Sequence, residues 1–124
     1  MKSAHYFFDQ FSLEKLFFLF GDPHFKKSNH RRRVINQTQL AIYAYILKPG
    51  GKLYIITDVE DYFNDMMSHL LKHPLFQQIT DQNVLKSDIC YSLIQNSTAE
   101  GQKVSRLQGN KYPACFQRVD VGAI

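Results

Sequence analysis

Lys15-Leu16-Phe17-Phe18-Leu19-Phe20-Gly21-Asp22-Pro23-His24-Phe25-Lys26-Lys27-Ser28-Asn29-His30-Arg31-Arg32-Arg33 is the stretch from which the rest of the chain is read. Five consecutive apolar residues, Leu16–Phe20, stop at Gly21-Asp22-Pro23 and give way to a run of cations. An unbroken apolar run bounded by Gly and Pro predicts a strand buried on both faces, as in parallel sheets under helices. Ligands of such sheets bind just past the carboxyl ends of the strands. Asp22 and the basic loop fall there, which suggests a site that handles a polyanion.

The charge pattern agrees. The 124 residues carry a net charge of +4, and five of the cations lie between Lys26 and Arg33 with no acid among them. A local patch of this kind favours nucleic acid or another phosphate-rich partner. The alternative is a solvated loop whose charge is incidental. An apolar content of 44%, with 14% aromatics, argues for a packed core in a single domain. Cys90 and Cys115 form no CxxC pattern, so no zinc site or redox motif is indicated and no metal is expected. Two reduced, packed thiols in a soluble intracellular protein are the expectation. No run of about 18 apolar residues is present to span a membrane. Arg31-Arg32-Arg33 also fits a short nuclear address, so the nucleus is the expected location and the cytoplasm the alternative.

Along the chain, Met1–Phe11 reads as a helix tail or loop that leads into a strand over Lys15–Phe20. Asn36 with Gln39 resembles a capping box. Leu40, Tyr43, Ala44 and Leu47 then recur at helical spacing until Pro49-Gly50-Gly51 stops the helix. Leu53–Ile56 is a second buried strand, ending in Thr57-Asp58. Val59, Tyr62, Phe63, Met66, Met67, Leu70 and Leu71 form a helical stripe, in which the methionines are core. A short strand is expected near Phe76–Ile79, a polar irregular stretch over Asp81–Asn96, a helical turn or two over Glu100–Leu107, and a last strand over Ala114–Val119. Strand–helix–strand–helix is an α/β pattern with a parallel core.

Leu19-Phe20-Gly21-Asp22-Pro23-His24-Phe25-Lys26-Lys27, followed by His30 and Arg33, resembles the signature Phe-Pro-Asp-Pro-(His/Trp)-x-Lys of tRNA (guanine-N7)-methyltransferases. The His24-Phe25 variant is similar to the eukaryotic branch. Further similarities run through Pro49-Gly50-Gly51, Ile56-Thr57-Asp58, His73-Pro74-Leu75-Phe76, Ser97-Thr98-Ala99-Glu100-Gly101 and Tyr112-Pro113-Ala114. Gly21 departs from the pattern, standing where the family has proline.

The resemblance implies a Rossmann-like, class I S-adenosylmethionine-dependent methyltransferase sheet of seven strands. Its cofactor lies on a Gly-rich loop after the first strand, and no GxGxG-like run exists here. Residues 1–124 are therefore expected to be the carboxyl-terminal part of such a domain: strands four to seven with flanking helices, the first three strands missing. Such a chain alone is expected to be inactive. By resemblance Asp22 is the catalytic carboxylate, the alternative being a turn-forming Asp before Pro23. Leu19, Thr98 and Glu100 match positions beside the cofactor, S-adenosyl-L-methionine. Asp58 matches a substrate contact, with capping of the Val59 helix as its other reading. Lys26, Lys27, His30, Arg31, Arg32 and Arg33 are the expected tRNA contacts. A non-catalytic WD-repeat subunit is the partner implied, and self-association through residues 16–20 follows from an unpaired strand edge. The competing reading is a non-catalytic module that binds RNA or a partner through loop 24–33.

Overall fold

The computed structural model describes residues 9–96, 99–107 and 109–120. Its centre is strand β2, Leu47–Thr57, which follows helix α1, Gln37–Ile46, without a loop. Asn36 caps α1 by accepting the Gln39 backbone N–H at 2.9 Å. The reciprocal half of the capping box is absent, because Gln39 Oε1 is buried with no partner. Pro49 disfavours a helical Lys48, and the chain turns extended one residue earlier still, at Leu47 with ψ 136°. The Pro49-Gly50-Gly51 stretch thus belongs to the start of a strand. A Cβ at Gly51 would lie 2.8 Å from the Lys48 carbonyl and 3.0 Å from that of Glu14, so only glycine fits this crossing.

Leu53, Tyr54, Ile55, Ile56 and Thr57 are all buried, which makes this segment the two-faced strand that its apolar run predicts. Strand β1, Leu13–Leu19, pairs parallel to it, with Leu16 opposite Leu53 and Leu19 opposite Ile56. On its other side β2 pairs antiparallel with β4, Tyr112–Arg118, which pairs antiparallel with β3, Phe76–Gln78. The order is β1-β2-β4-β3. The sheet is mixed, therefore, and the expectation of a parallel core holds only for β1 and β2.

Helices cover both faces. On one, α1 and helix α2, Glu60–Lys72, bury Leu40, Tyr43, Tyr62, Met66 and Leu70 against Leu53, Ile55, Ala114 and Phe116. Side chains of this size contribute about 1.5–3 kcal/mol each on full burial. Met67 packs at the margin of that cluster, and Leu71, assigned to the stripe by spacing, is 61% exposed. His73 turns α2 towards β3 by accepting the Leu75 N–H on Nδ1 at 3.2 Å.

On the other face Tyr54, Ile56 and Cys115 meet Leu85 and Ile94. These come from two helices, α3 (Gln82–Ser87) and α4 (Ile89–Asn96), in the stretch whose polar composition predicts irregular structure. Asp81 and Asp88 start them by accepting the N–H groups of Asn83 and Cys90, both at 2.9 Å. One buried residue in each leaves the helical period invisible in the sequence. Helix α5, Ala99–Arg106, packs on α4.

β1 departs most from expectation. Leu16 and Phe18 pack towards α1, but Phe17 and Leu19 on the opposite face are 43% and 38% exposed. Phe17 has Tyr54 stacked on it at 5.0 Å and little else over it. β1 is an edge strand among the described residues, half-buried on one face and exposed on the other.

Candidate functional site

The carboxyl ends of β1 and β2 lie side by side, since Phe20 N–H donates to the Ile56 carbonyl at 2.8 Å. Beyond them come Asp22 on one strand and Asp58 on the other. Phe20 and His24 both hold left-handed backbone conformations, φ 51° and 47°, which disfavour residues with a Cβ. The intervening turn is held by Asp22, whose Oδ1 accepts the His24 N–H at 2.8 Å while Oδ2 lies 3.8 Å from the His24 ring. The turn-forming reading of Asp22 is thus realised. Its carboxylate is 72% exposed and keeps lone pairs to spare for another donor. A Cβ at Gly21 would meet only the Tyr62 hydroxyl, at an ordinary 3.7 Å, so the departure from proline there answers no steric demand.

The basic stretch forms a short 3-10 helix, Lys27–Arg32. Lys26, Lys27, His30, Arg31 and Arg32 are exposed. Arg33 is not, and its assignment as an RNA contact needs correcting. Only 7% exposed, it pairs with Asp65 of α2 at 3.1 Å, donates through Nε to the Pro23 carbonyl, and lies 5.1 Å over the Tyr62 ring. Burial pushes the Tyr62 phenol up, and Arg33 partly opposes that shift. Arg33 therefore anchors the loop to α2, and its charge is already matched. A cavity of about 480 Å³ lies beside it, lined by Arg31, Arg32, Arg33, Val34 and Gln39.

Asp58 is exposed and does not cap α2; the cap position is Val59, whose N–H donates to Thr57 Oγ1 at 3.2 Å. Leu19 sits on the open face of β1. Thr98 lies outside the described residues, and Glu100 is placed in α5 by its backbone alone. The structure thus brings Asp22, Asp58 and the cationic helix to one end of the sheet.

At the opposite end, a cluster that no motif announced surrounds Asp88. Its side chain is 7% exposed, accepts the Tyr54 hydroxyl at 2.6 Å, and pairs with Lys52 at 3.2 Å. It also takes the Cys90 and Tyr91 N–H groups, and Lys15 Nζ reaches Cys90 Sγ at 3.3 Å. Burial alone would raise the Asp88 pKa. The bonds from Tyr54, Lys52 and the backbone outweigh it and hold the carboxyl below its ordinary range. Burial first, then the bond to Asp88, pushes the Tyr54 phenol far up; burial takes Cys115 to about 12. The cluster ties α3 and α4 to the amino ends of β1 and β2. It is structural polar packing, and a lone Asp in a polar stretch carries no signal by which sequence could find it. Among the described residues no group of three or more His, Cys, Asp or Glu is placed to hold a metal ion, and no helix is long and apolar enough to cross a membrane.

Against known families, residues 1–114 match the model described as "Putative methyltransferase". Among curated proteins, the chain is 48% identical over 119 residues to a tRNA (guanine-N(7)-)-methyltransferase of Dictyostelium discoideum, covering 96% of this chain and 42% of that protein. Proteins of the same name from Debaryomyces hansenii and Brugia malayi are 50% and 49% identical over the same length, with 40% and 46% of their own lengths covered. The chain spans about two fifths of the length of the curated relatives it matches.

Proposed function

From a chain that belongs to this methyltransferase family, its model matching residues 1–114, we propose a role in methylating guanine N7 in tRNA. The observation that carries the proposal is identity near one half to proteins of that name, running through 96% of the chain. The geometry supports it by putting an exposed carboxylate beside an exposed cationic helix at the strand tips.

Guanine N7 has a free lone pair and no proton, so the nucleophile needs no base. What the reaction needs is alignment, exclusion of water, and tolerance of positive charge growing on the purine. In this reading Asp22 accepts hydrogen bonds from guanine N1–H and the N2 amino group, and its charge offsets what develops on the ring. Its bond to His24 fixes the carboxylate without using all its lone pairs. Asp58 is a second acceptor at the neighbouring strand tip. Lys26, Lys27, His30, Arg31 and Arg32 hold the RNA backbone.

Membership of the family implies a methyl donor of the S-adenosylmethionine type, which supplies the methyl group when bound. The described residues do not enclose one: Leu19 lies on an open strand face, and the cavity beside Arg31–Arg33 does not reach it. The reading gives Leu19, Thr98 and Glu100 one side of that pocket, with the rest supplied by segments that the relatives have and these residues do not. A WD-repeat partner and a nuclear location belong to the same reading. A second reading, favoured by the exposed cationic helix alone, is a non-catalytic module that binds RNA through residues 24–32.

The two are separated in a protein that joins this chain to the complementary segment of a relative. Asp22→Ala is expected to abolish methyl transfer and leave tRNA affinity nearly intact. Arg31→Glu with Arg32→Glu is expected to weaken binding and reduce its salt slope by roughly one for each phosphate no longer neutralised. Equal loss of affinity in both variants would contradict these roles.

A further inference from the structure

Several of the large apolar side chains left at the surface lie on β1, α3 and α4. Phe25 lies on none of these elements. It is 72% exposed, directly follows His24, and precedes Lys26 and Lys27 in a segment with no acid from Pro23 to Thr57. Solvated in this way it adds nothing to the core. The backbone beside it is nonetheless held firmly in an unfavourable shape. His24 keeps φ 47°, its N–H bound by Asp22, the Pro23 carbonyl is bound by Arg33, and the Lys26 carbonyl receives the Asn29 N–H at 2.8 Å. Strain that persists because its surroundings enforce it points to a use.

We propose that Phe25 is a stacking platform for an unpaired RNA base, with Lys26, Lys27, Arg31 and Arg32 taking the phosphates on either side of it. Every nucleobase has a π face, so an aromatic ring set among cations binds an unstacked base with little sequence preference. A polyanion without bases would use the cations and leave the ring idle. The inference rests on the RNA-binding part of the function proposed above and adds a contact made to the base itself. The fixed turn supplies preorganisation, since the ring is presented before RNA arrives.

The sequence contains no tryptophan, so Phe25→Trp introduces a single reporter. Titrated with single-stranded oligouridylate and with tRNA, its emission is expected to be quenched. Heparin, bound by the same cations, should leave it unchanged. Phe25→Ala is expected to weaken RNA binding roughly 5- to 100-fold while leaving heparin affinity and the salt slope as they were. Circular dichroism of both variants should match the parent, because the replaced ring is mostly in solvent. RNA binding with unquenched emission would overturn the stacking role and leave the RNA-binding reading standing. Equal weakening for RNA and heparin in Phe25→Ala would overturn it too. Failure of the parent chain to bind any RNA would overturn both.

Discussion

Arg33 and its neighbours show how far residue type alone can mislead. Three successive arginines look alike in sequence, yet the third is buried on Asp65 and the Pro23 carbonyl while the first two face solvent. The distinction is made by Asp65 on α2, which nothing near Arg33 in sequence reveals. Arg33→Ala is expected to destabilise the fold by about 1–3 kcal/mol, because it leaves the Pro23 carbonyl without its donor and Asp65 with only His69 beside it. Arg31→Ala and Arg32→Ala should each stay within about 0.5 kcal/mol. Urea melts of the three variants check this, and three equal midpoints would contradict the anchoring role. Asp88 makes a second residue-level case. Its folded pKa is depressed, so its contribution is fully present above its unfolded value, near pH 4, and is lost as pH falls through the folded value. Asp88→Asn should therefore flatten the acid limb of the stability curve below about pH 4. An acid limb as steep as the parent's would show that the cluster does not contribute to it.

At the level of elements, legibility followed the density of apolar residues. β2 is readable because Leu53 to Thr57 are buried in unbroken succession, and α2 because Tyr62, Met66 and Leu70 are buried at helical period. The helices α3 and α4 are not, since each sends one residue into the core and is started by an Asp that also suits a loop. For β1 the strand and the position of its turn are legible, but its exposure is not. An apolar run predicts burial on both faces, and here α1 covers one face while the outer edge has no neighbour among the described residues. Phe17 and Leu19 on that open side make an apolar edge suited to strand addition. The 124-residue chain is accordingly expected to pair with a second copy through β1, and Leu19→Lys to shift it towards monomer by placing a charge on the edge. Light scattering at low micromolar concentration gives the mass directly. A monodisperse parent chain of 14.5 kDa would contradict the pairing.

Across the whole molecule, polar groups divide between the two ends of the sheet. At the amino ends of β1 and β2 the charges of Lys52 and Asp88 are satisfied by each other and by Tyr54. At the carboxyl ends Asp22 and Asp58 are exposed beside five exposed basic side chains. Charge is matched within the fold at one end and exposed to solvent at the other. This polarity is legible because strand tips and basic runs are marked locally by Gly, Pro and the cations themselves. The cofactor contacts proposed for Leu19, Thr98 and Glu100 rest on resemblance: Leu19 lies open, Glu100 is placed by backbone alone and Thr98 falls outside the described residues. In the function proposed above, the open end presents guanine N7 for methylation. The most direct test of that function joins the chain to the complementary segment of a relative and supplies S-adenosylmethionine with labelled methyl and a tRNA transcript. Nucleosides from the digested product are then identified by mass spectrometry. The account predicts 7-methylguanosine, abolished when the acceptor guanosine is replaced by 7-deazaguanosine. Label at another atom, or label that survives the 7-deaza replacement, would contradict it.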